Sequence, residues 1–156
     1  MLATRPATLT DSALITAHRR AMFQEMGKSA PEALDTMSRH FTPWLERMMT
    51  AGRYVGWIVE DGSTAAASAG FLVLDWPPHP FDPEATGRGY LLNFWVEPAY
   101  RRRGLARALV REGLAESRRC GWRVTALHAS PAGRLVYEKE GFSASSEMLF
   151  VDPDAS

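Results

Sequence analysis

The run Trp95-Val96-Glu97-Pro98-Ala99-Tyr100-Arg101-Arg102-Arg103-Gly104-Leu105-Ala106 constrains the chain more than any other, because an apolar strand enters a turn there and the turn opens a helix. The amides of a first helical turn have no partner inside the helix and carry the positive end of its dipole. Three arginines stand at this mouth, Gly104 lets a ligand approach the backbone, and Ala106 keeps the first turn slim. The junction therefore reads as a phosphate cradle. It is neither a Walker loop, which ends in Gly-Lys-Ser/Thr, nor a dinucleotide fingerprint, which needs three glycines in a fixed frame and a distant acidic residue.

The spacing Arg101-x-x-Gly104-x-Ala106 behind Val96-Glu97-Pro98 resembles the acyl-CoA pyrophosphate loop of the GNAT superfamily of N-acyltransferases. A second segment, Ser130-Pro131-Ala132-Gly133-Arg134-Leu135-Val136-Tyr137-Glu138-Lys139-Glu140-Gly141-Phe142, is similar to the other signature of that family, a helix Tyr followed by Glu-Lys-x-Gly-Phe. The resemblance implies that the amides of Arg101, Arg102, Arg103, Gly104, Leu105 and Ala106 hold a pyrophosphate, with the guanidinium groups of Arg102, Arg103 and Arg107 near the phosphates. It implies a bulge in the strand, exposing amides near Phe94, Trp95 and Val96 to the acyl carbonyl and pantetheine. It also implies that Tyr137 protonates the departing thiolate. A phenol of pKa about 10 is a competent donor to a thiolate whose acid resembles cysteine at about 8.5; by position alone, Tyr137 could equally be a packing residue. Ser130 stands where the family most often has Asn, so it either contacts the pantetheine arm or caps the helix opened by Pro131. For the general base the sequence offers Glu25, Asn93 through a water, Glu97 and His128. Each has a structural alternative: a solvated helix face for Glu25, a turn flank for Glu97, a satisfied core histidine for His128.

With 156 residues the chain suits one domain, here 1–156, with a core large enough to need neither disulfide nor metal. Eighteen basic and eighteen acidic residues cancel, which argues against a general nucleic-acid or polybasic membrane binder. The charge is nevertheless local. Eight arginines and only Glu112 and Glu116 lie between Arg101 and Arg123, so a polyanionic ligand has one place to dock. Arg111, Arg118 and Arg119 could equally belong to a solvated helix face. The single cysteine, Cys120, excludes an internal disulfide, and no signal pattern or long apolar run is evident, so the cytoplasm is the default location.

Along the chain, Leu2 to Ala7 reads as a strand, Thr10-Asp11 as the cap of a helix through Met26, and Pro31 as the start of a second helix ending at Gly52. Tyr54 to Val59 and Ala65 to Leu74 flank Asp61-Gly62 as a hairpin. A proline-rich loop, Trp76 to Gly89, precedes a central strand, Tyr90 to Val96. The helix Gly104 to Cys120 turns the small-residue stripe Ala106, Leu109, Val110, Gly113, Leu114 and Ser117 to a sheet. Val124 to His128, a short helix from Pro131 to Glu140, and a last strand from Phe142 to Val151 complete the order β-α-α-β-β-β-α-β-α-β. The expected fold is α/β (α+β), a mixed, mostly antiparallel twisted sheet of six or seven strands flanked by about four helices.

The functional expectation is an acetyl-CoA-dependent N-acetyltransferase, without metal, moving an acetyl group to a primary amine of a small molecule or peptide by direct attack in a ternary complex. No thiol or serine nucleophile stands in a motif that would favour a covalent intermediate. The alternative is a catalytically inactive acyl-CoA-binding sensor. The aromatic residues Phe23, Trp44, Trp76 and Phe81 point to an apolar or aromatic acceptor, and homodimerisation is common among such proteins.

Overall fold

Five strands carry the molecule in the order β1-β2-β3-β4-β5, in a computed structural model that describes residues 1–153. They are β1 (Leu2–Pro6), β2 (Tyr54–Asp61), β3 (Thr64–Asp75), β4 (Gly87–Val96) and β5 (Thr125–Leu127). Neighbours from β1 to β4 pair antiparallel, and β5 joins β4 in parallel. The helices are α1 (Ser12–Met26), α2 (Pro31–Thr50), α3 (Leu105–Arg119) and α4 (Arg134–Lys139).

Strand alternation divides the core in two. Tyr54 and Ile58 of β2 face α1 and α2, where they pack with Ile15, Phe41 and Leu45; Trp57 and Val59 face the opposite way, with Phe71, Leu91, Leu109, Val110 and Tyr137. The stripe on α3 does what its small residues suggest. Leu109, Val110, Gly113 and Ser117 are buried, and a Cβ on Gly113 would stand 2.4 Å from the Leu91 side chain, so only glycine allows α3 this close to the sheet.

The sheet has five strands rather than six or seven, and the expected strand from Phe142 to Val151 does not form. Ser143 to Glu147 is small and polar, the neighbouring β5 is only three residues long, and Met148, Leu149, Phe150 and Val151 are exposed. Among the described residues this segment pairs with no strand, and the three residues of β5 give it little to pair along. The last helix is also shorter than expected: Pro131 sits in a turn and the helix begins at Arg134. β4 starts at Gly87, three residues earlier than its apolar run, because Gly87 and Arg88 pair with Asp75 and Leu74.

Asp11 fixes the start of α1, the helix that lies over β4. Its carboxylate accepts from both terminal nitrogens of Arg5 at 2.8 and 2.9 Å and from the Thr8 amide at 2.7 Å. The hydrogen-bonded guanidinium holds the Asp11 pKa down, at about 2 against an ordinary 3.8. A carboxylate whose folded pKa is depressed stabilises above its unfolded value and loses that contribution as pH falls toward the folded one. Asp11→Asn is expected to cost about 2 kcal/mol at pH 7. In thermal melts the gap between variant and parent should close as pH drops from about 4 to about 2.

Candidate active site

The site begins where β4 loses its partner. Its pairing with β5 covers only Gly89, Tyr90 and Leu91, against Thr125, Ala126 and Leu127, so from Leu92 onward that edge is open. On the other side, Gly70 pairs with Leu92 and Ser68 with Trp95, which leaves Asn93 and Phe94 opposite Ala69 alone. This is a bulge. Asn93 takes φ +60°, a left-handed conformation that asparagine tolerates better than most residues. Beyond it the Glu97 amide donates to Ala66 O at 2.9 Å, and alternation turns the Val96 and Phe94 amides to the open edge. The bulge lies one residue ahead of the expected Phe94 to Val96 stretch and presents two of its amides. Phe94 and Val96 project toward α3 and α4, while Asn93, Trp95 and Glu97 project toward α1.

At the end of β4 the chain turns through Pro98–Tyr100 into the mouth of α3. Arg102 at φ +63° and Gly104 at φ +80° are both left-handed, and such alternation curls successive amides around one concavity. Ala108 is the first residue to donate back, to Gly104 O at 3.0 Å, which leaves the amides of Leu105, Ala106 and Arg107 facing outward. A Cβ on Gly104 would meet nothing within 4 Å, so its backbone conformation, not crowding, calls for glycine.

The arginines divide by role. Arg101 donates from Nε to Val96 O at 3.0 Å and grips both Glu25 oxygens at 2.6 and 3.1 Å, with its guanidinium over the Trp95 ring. That clamp ties the C-terminal turn of α1 to the end of β4. Arg107 and Arg111 both bind Glu140 and hold its carboxyl below the usual range, joining α3 to the end of α4. Arg103 lies over Tyr100 and donates to Ala99 O at 3.3 Å. Arg102 is exposed and makes no ion pair among the described residues. Of the three guanidinium groups expected near phosphate, Arg102 is the one left without a partner.

Tyr137 is buried and stands edge-on to Phe94, with ring centroids 5.9 Å apart, and to Phe142 at 6.1 Å. Burial raises its pKa above the ordinary phenol value. Ser130 Oγ accepts the Gly133 amide at 3.1 Å and so closes the turn before α4; it does not cap the helix, whose N-cap is Gly133. A methyl group on Gly133 would lie 3.2 Å from the Tyr137 hydroxyl and 3.3 Å from Ser130 Oγ, which puts all three residues around one point.

The four base candidates separate clearly. Glu25 is committed to Arg101, and exposed His128 shares a hydrogen bond with the Tyr90 hydroxyl. Asn93 accepts from Arg19 at 2.7 Å and donates to the Tyr54 hydroxyl at 3.0 Å, which engages both its oxygen and its nitrogen. Glu97 uses one oxygen, Oε1, to accept from Trp95 Nε1 at 3.1 Å and to meet His18 Nε2 at 3.2 Å. His18 contacts Ser68 Oγ through Nδ1 at 2.7 Å, and burial lowers its pKa, favouring the neutral ring. A neutral imidazole then donates to Glu97 and accepts from Ser68.

His18, Arg19, Tyr54 and Ser68 escaped the sequence reading although they build the α1 side of the site. The available signal was spacing: Ile15 and His18 lie three apart and share a helical face, so a histidine stood where the pattern called for an apolar residue. Among the described residues no group of three or more His, Cys, Asp or Glu is arranged to hold a metal, and no helix is long and apolar enough to cross a membrane.

Comparison with known proteins adds the lineage. The family model described as "Acetyltransferase (GNAT) family" matches residues 16–142. A GCN5-related N-acetyltransferase from Ralstonia eutropha is 37% identical, superposes with a TM-score of 0.93, and the alignment covers 97% of this chain and 99% of that one. A predicted acetyltransferase from Clostridium acetobutylicum, solved with acetyl-CoA, is 25% identical with a TM-score of 0.89, covering 97% and 96%. Glucosamine-6-phosphate N-acetyltransferase from Arabidopsis thaliana, 16% identical with a TM-score of 0.72 and 99% of both chains covered, shares the fold. No sequence match was found among proteins with curated descriptions. The match across residues 16–142 and the Ralstonia relative place this chain in the GNAT family of acetyltransferases.

Proposed function

We propose that the protein transfers an acetyl group from acetyl-CoA to a primary amine by direct attack within a ternary complex. The observation that carries this reading is the open edge of β4 beyond Leu91, on a strand that packs Phe94 edge-on against Tyr137 and runs on through Pro98–Tyr100 to the α3 mouth. The fit is physical: a left-handed pair of residues with outward amides suits a diphosphate, and an unpaired strand edge suits an extended amide-bearing arm.

Each residue then has a task. The cradle amides and Arg102 bind the pyrophosphate. The Phe94 amide donates to the thioester carbonyl oxygen and stabilises the charge that develops there. Glu97, through the oxygen not used by His18 and Trp95, takes a proton from the bound ammonium and passes it to water; the neutral amine then forms the C–N bond, and its second proton leaves by the same route. Tyr137 gives its proton to the sulfur as the C–S bond breaks, which releases the free thiol. The acceptor is a small-molecule or peptide amine.

The test is thiol release from acetyl-CoA over a panel of amines, with initial rates measured against both substrates. Release with intersecting double-reciprocal lines is expected. Absence of release with every amine would remove the catalytic reading, and parallel lines would replace direct attack by a covalent intermediate. Within the cradle, Gly104→Val forces a β-branched residue to φ +80° and should weaken acetyl-CoA binding on the order of tenfold by calorimetry. Its kcat at saturating coenzyme should change little, because the contact is the same in ground and transition states.

A further inference from the structure

Among the described residues a half-buried cation, Arg19, lacks a counter-ion. Arg19 of α1 has its guanidinium beside the ring faces of Phe23 and Phe41, 4.9 and 4.8 Å from their centroids. Its NH1 donates to Asn93 Oδ1 at 2.7 Å, and its Nε is buried with no hydrogen-bond partner. Among the described residues no carboxylate comes within ion-pair distance of it. Nine other arginines pair with an acid, whereas Arg102, likewise without one, is exposed; Arg19 combines the missing acid with partial burial against two aromatic rings.

Burial lowers the Arg19 pKa, yet a guanidinium does not lose its proton at any ordinary pH. The charge therefore persists in a place that penalises it. Aromatic faces and one neutral amide compensate only in part, and an unsatisfied buried N–H adds to the cost. The arrangement leaves a charge with donor capacity that a group from outside the chain can pair with.

The location says what that something is near. Asn93, held between Arg19 and Tyr54, is the bulge residue immediately before Phe94, and both Arg19 and Asn93 project on the α1 side of the sheet. Tyr137 occupies the other side. If the open edge of β4 is where the thioester carbonyl binds, Arg19 stands in the half of the cleft left to the acceptor. We infer that Arg19 is a specificity residue that pairs with a carboxylate on the acceptor, so that the preferred substrates are amino-acid-like amines. This inference rests on the reading of β4 as the transfer point.

A carboxylate fits better than a phosphate. The unpaired charge is a single +1, and Glu97 already carries a negative charge on the same side of the sheet, so a dianion would leave an uncompensated excess. A planar carboxylate also matches the guanidinium fork. Phe23 and Phe41 flank the same spot and suit the hydrocarbon part of such a molecule.

The test compares acceptors in matched sets: leucine, leucinamide and isopentylamine, and likewise phenylalanine, phenylalaninamide and phenethylamine. The free acids are expected to exceed the amides in kcat/KM by on the order of 30-fold, mostly through KM, because a desolvated charge pair is lost in the amide. In Arg19→Met that ratio should fall toward one, with Arg19→Lys recovering part of it. If Arg19→Met does not fold, isocaproate and 3-phenylpropionate, which lack the amine, are expected to inhibit the unaltered protein competitively against the acceptor. Acids that are no better than amides, a ratio unchanged in Arg19→Met, or no competition by the simple carboxylates would each overturn the inference. Equal transfer to acids, amides and amines would do so while leaving the acetyltransferase reading intact; no thiol release from any member would instead remove that reading.

Discussion

Tyr137→Phe is expected to lower kcat by on the order of 100-fold while leaving acetyl-CoA affinity nearly unchanged. The substitution removes one oxygen from a ring that keeps its edge-on contacts with Phe94 and Phe142, so the fold has little reason to respond. The size follows from the chemistry. An alkyl thiolate, whose conjugate acid has a pKa near 8.5, is a tolerable leaving group even without help, which places the loss at the low end of what general-acid catalysis supplies. Burial raises the phenol above its ordinary value, so the group remains protonated through neutral and mildly alkaline pH, and no falling limb from Tyr137 should appear below about pH 10. Leaving-group dependence checks the role. An acetyl donor with a more acidic aryl thiol needs no proton from Tyr137, so the variant should recover most of its deficit with that donor. A deficit identical for alkyl and aryl thioesters would make Tyr137 a packing residue. A second readout comes from Gly133→Ala, which would place a methyl 2.9 Å from the Tyr137 ring and should lower kcat by displacing the hydroxyl rather than deleting it.

Most of the fold could be read from local sequence because its elements are set locally. Pro31 at the start of α2, Gly27 and Gly121 after α1 and α3, and Gly62 at φ +63° in the β2-β3 hairpin are turn and cap chemistry with short reach. The α3 stripe was legible for the same reason. What failed depended on partners distant in sequence. Phe142 to Val151 has apolar residues at its end but pairs with no strand, and nothing inside the segment reports that β5 is only three residues long. The cradle backbone was visible in its Gly-containing spacing, whereas the duties of its side chains were not: Arg101 meets Glu25 across 76 positions and Arg107 meets Glu140 across 33. The α1 side of the site was the least legible part. His18 and Arg19 look like ordinary polar positions of a weakly amphipathic helix until Ser68, Asn93 and Glu97 are brought against them.

Glu97→Gln is expected to reduce kcat/KM at pH 7 by about 100-fold, and the deficit should shrink steadily as pH rises. Glu97 has an oxygen to spare, since only Oε1 meets Trp95 Nε1 and His18 Nε2, whereas both Glu25 oxygens are held by Arg101, Asn93 Oδ1 is held by Arg19, and exposed His128 stands against Tyr90. Gln keeps an acceptor for those two donors and keeps the shape, but loses the capacity to take a proton. An aliphatic amine with a pKa of about 10 is mostly ammonium at pH 7, and its neutral fraction rises about tenfold per pH unit. In the parent protein Glu97 accepts the proton inside the site. In the variant the amine must arrive already neutral, so the two profiles should converge near the pKa of the acceptor. His18 does not supply an acid limb in this range, because burial depresses its pKa and the ring remains a neutral donor to Glu97 below the ordinary value of 6.5. A Glu97→Gln profile parallel to that of the parent would assign the loss to displaced geometry, and a parent-like rate at pH 7 would remove Glu97 from the proton path.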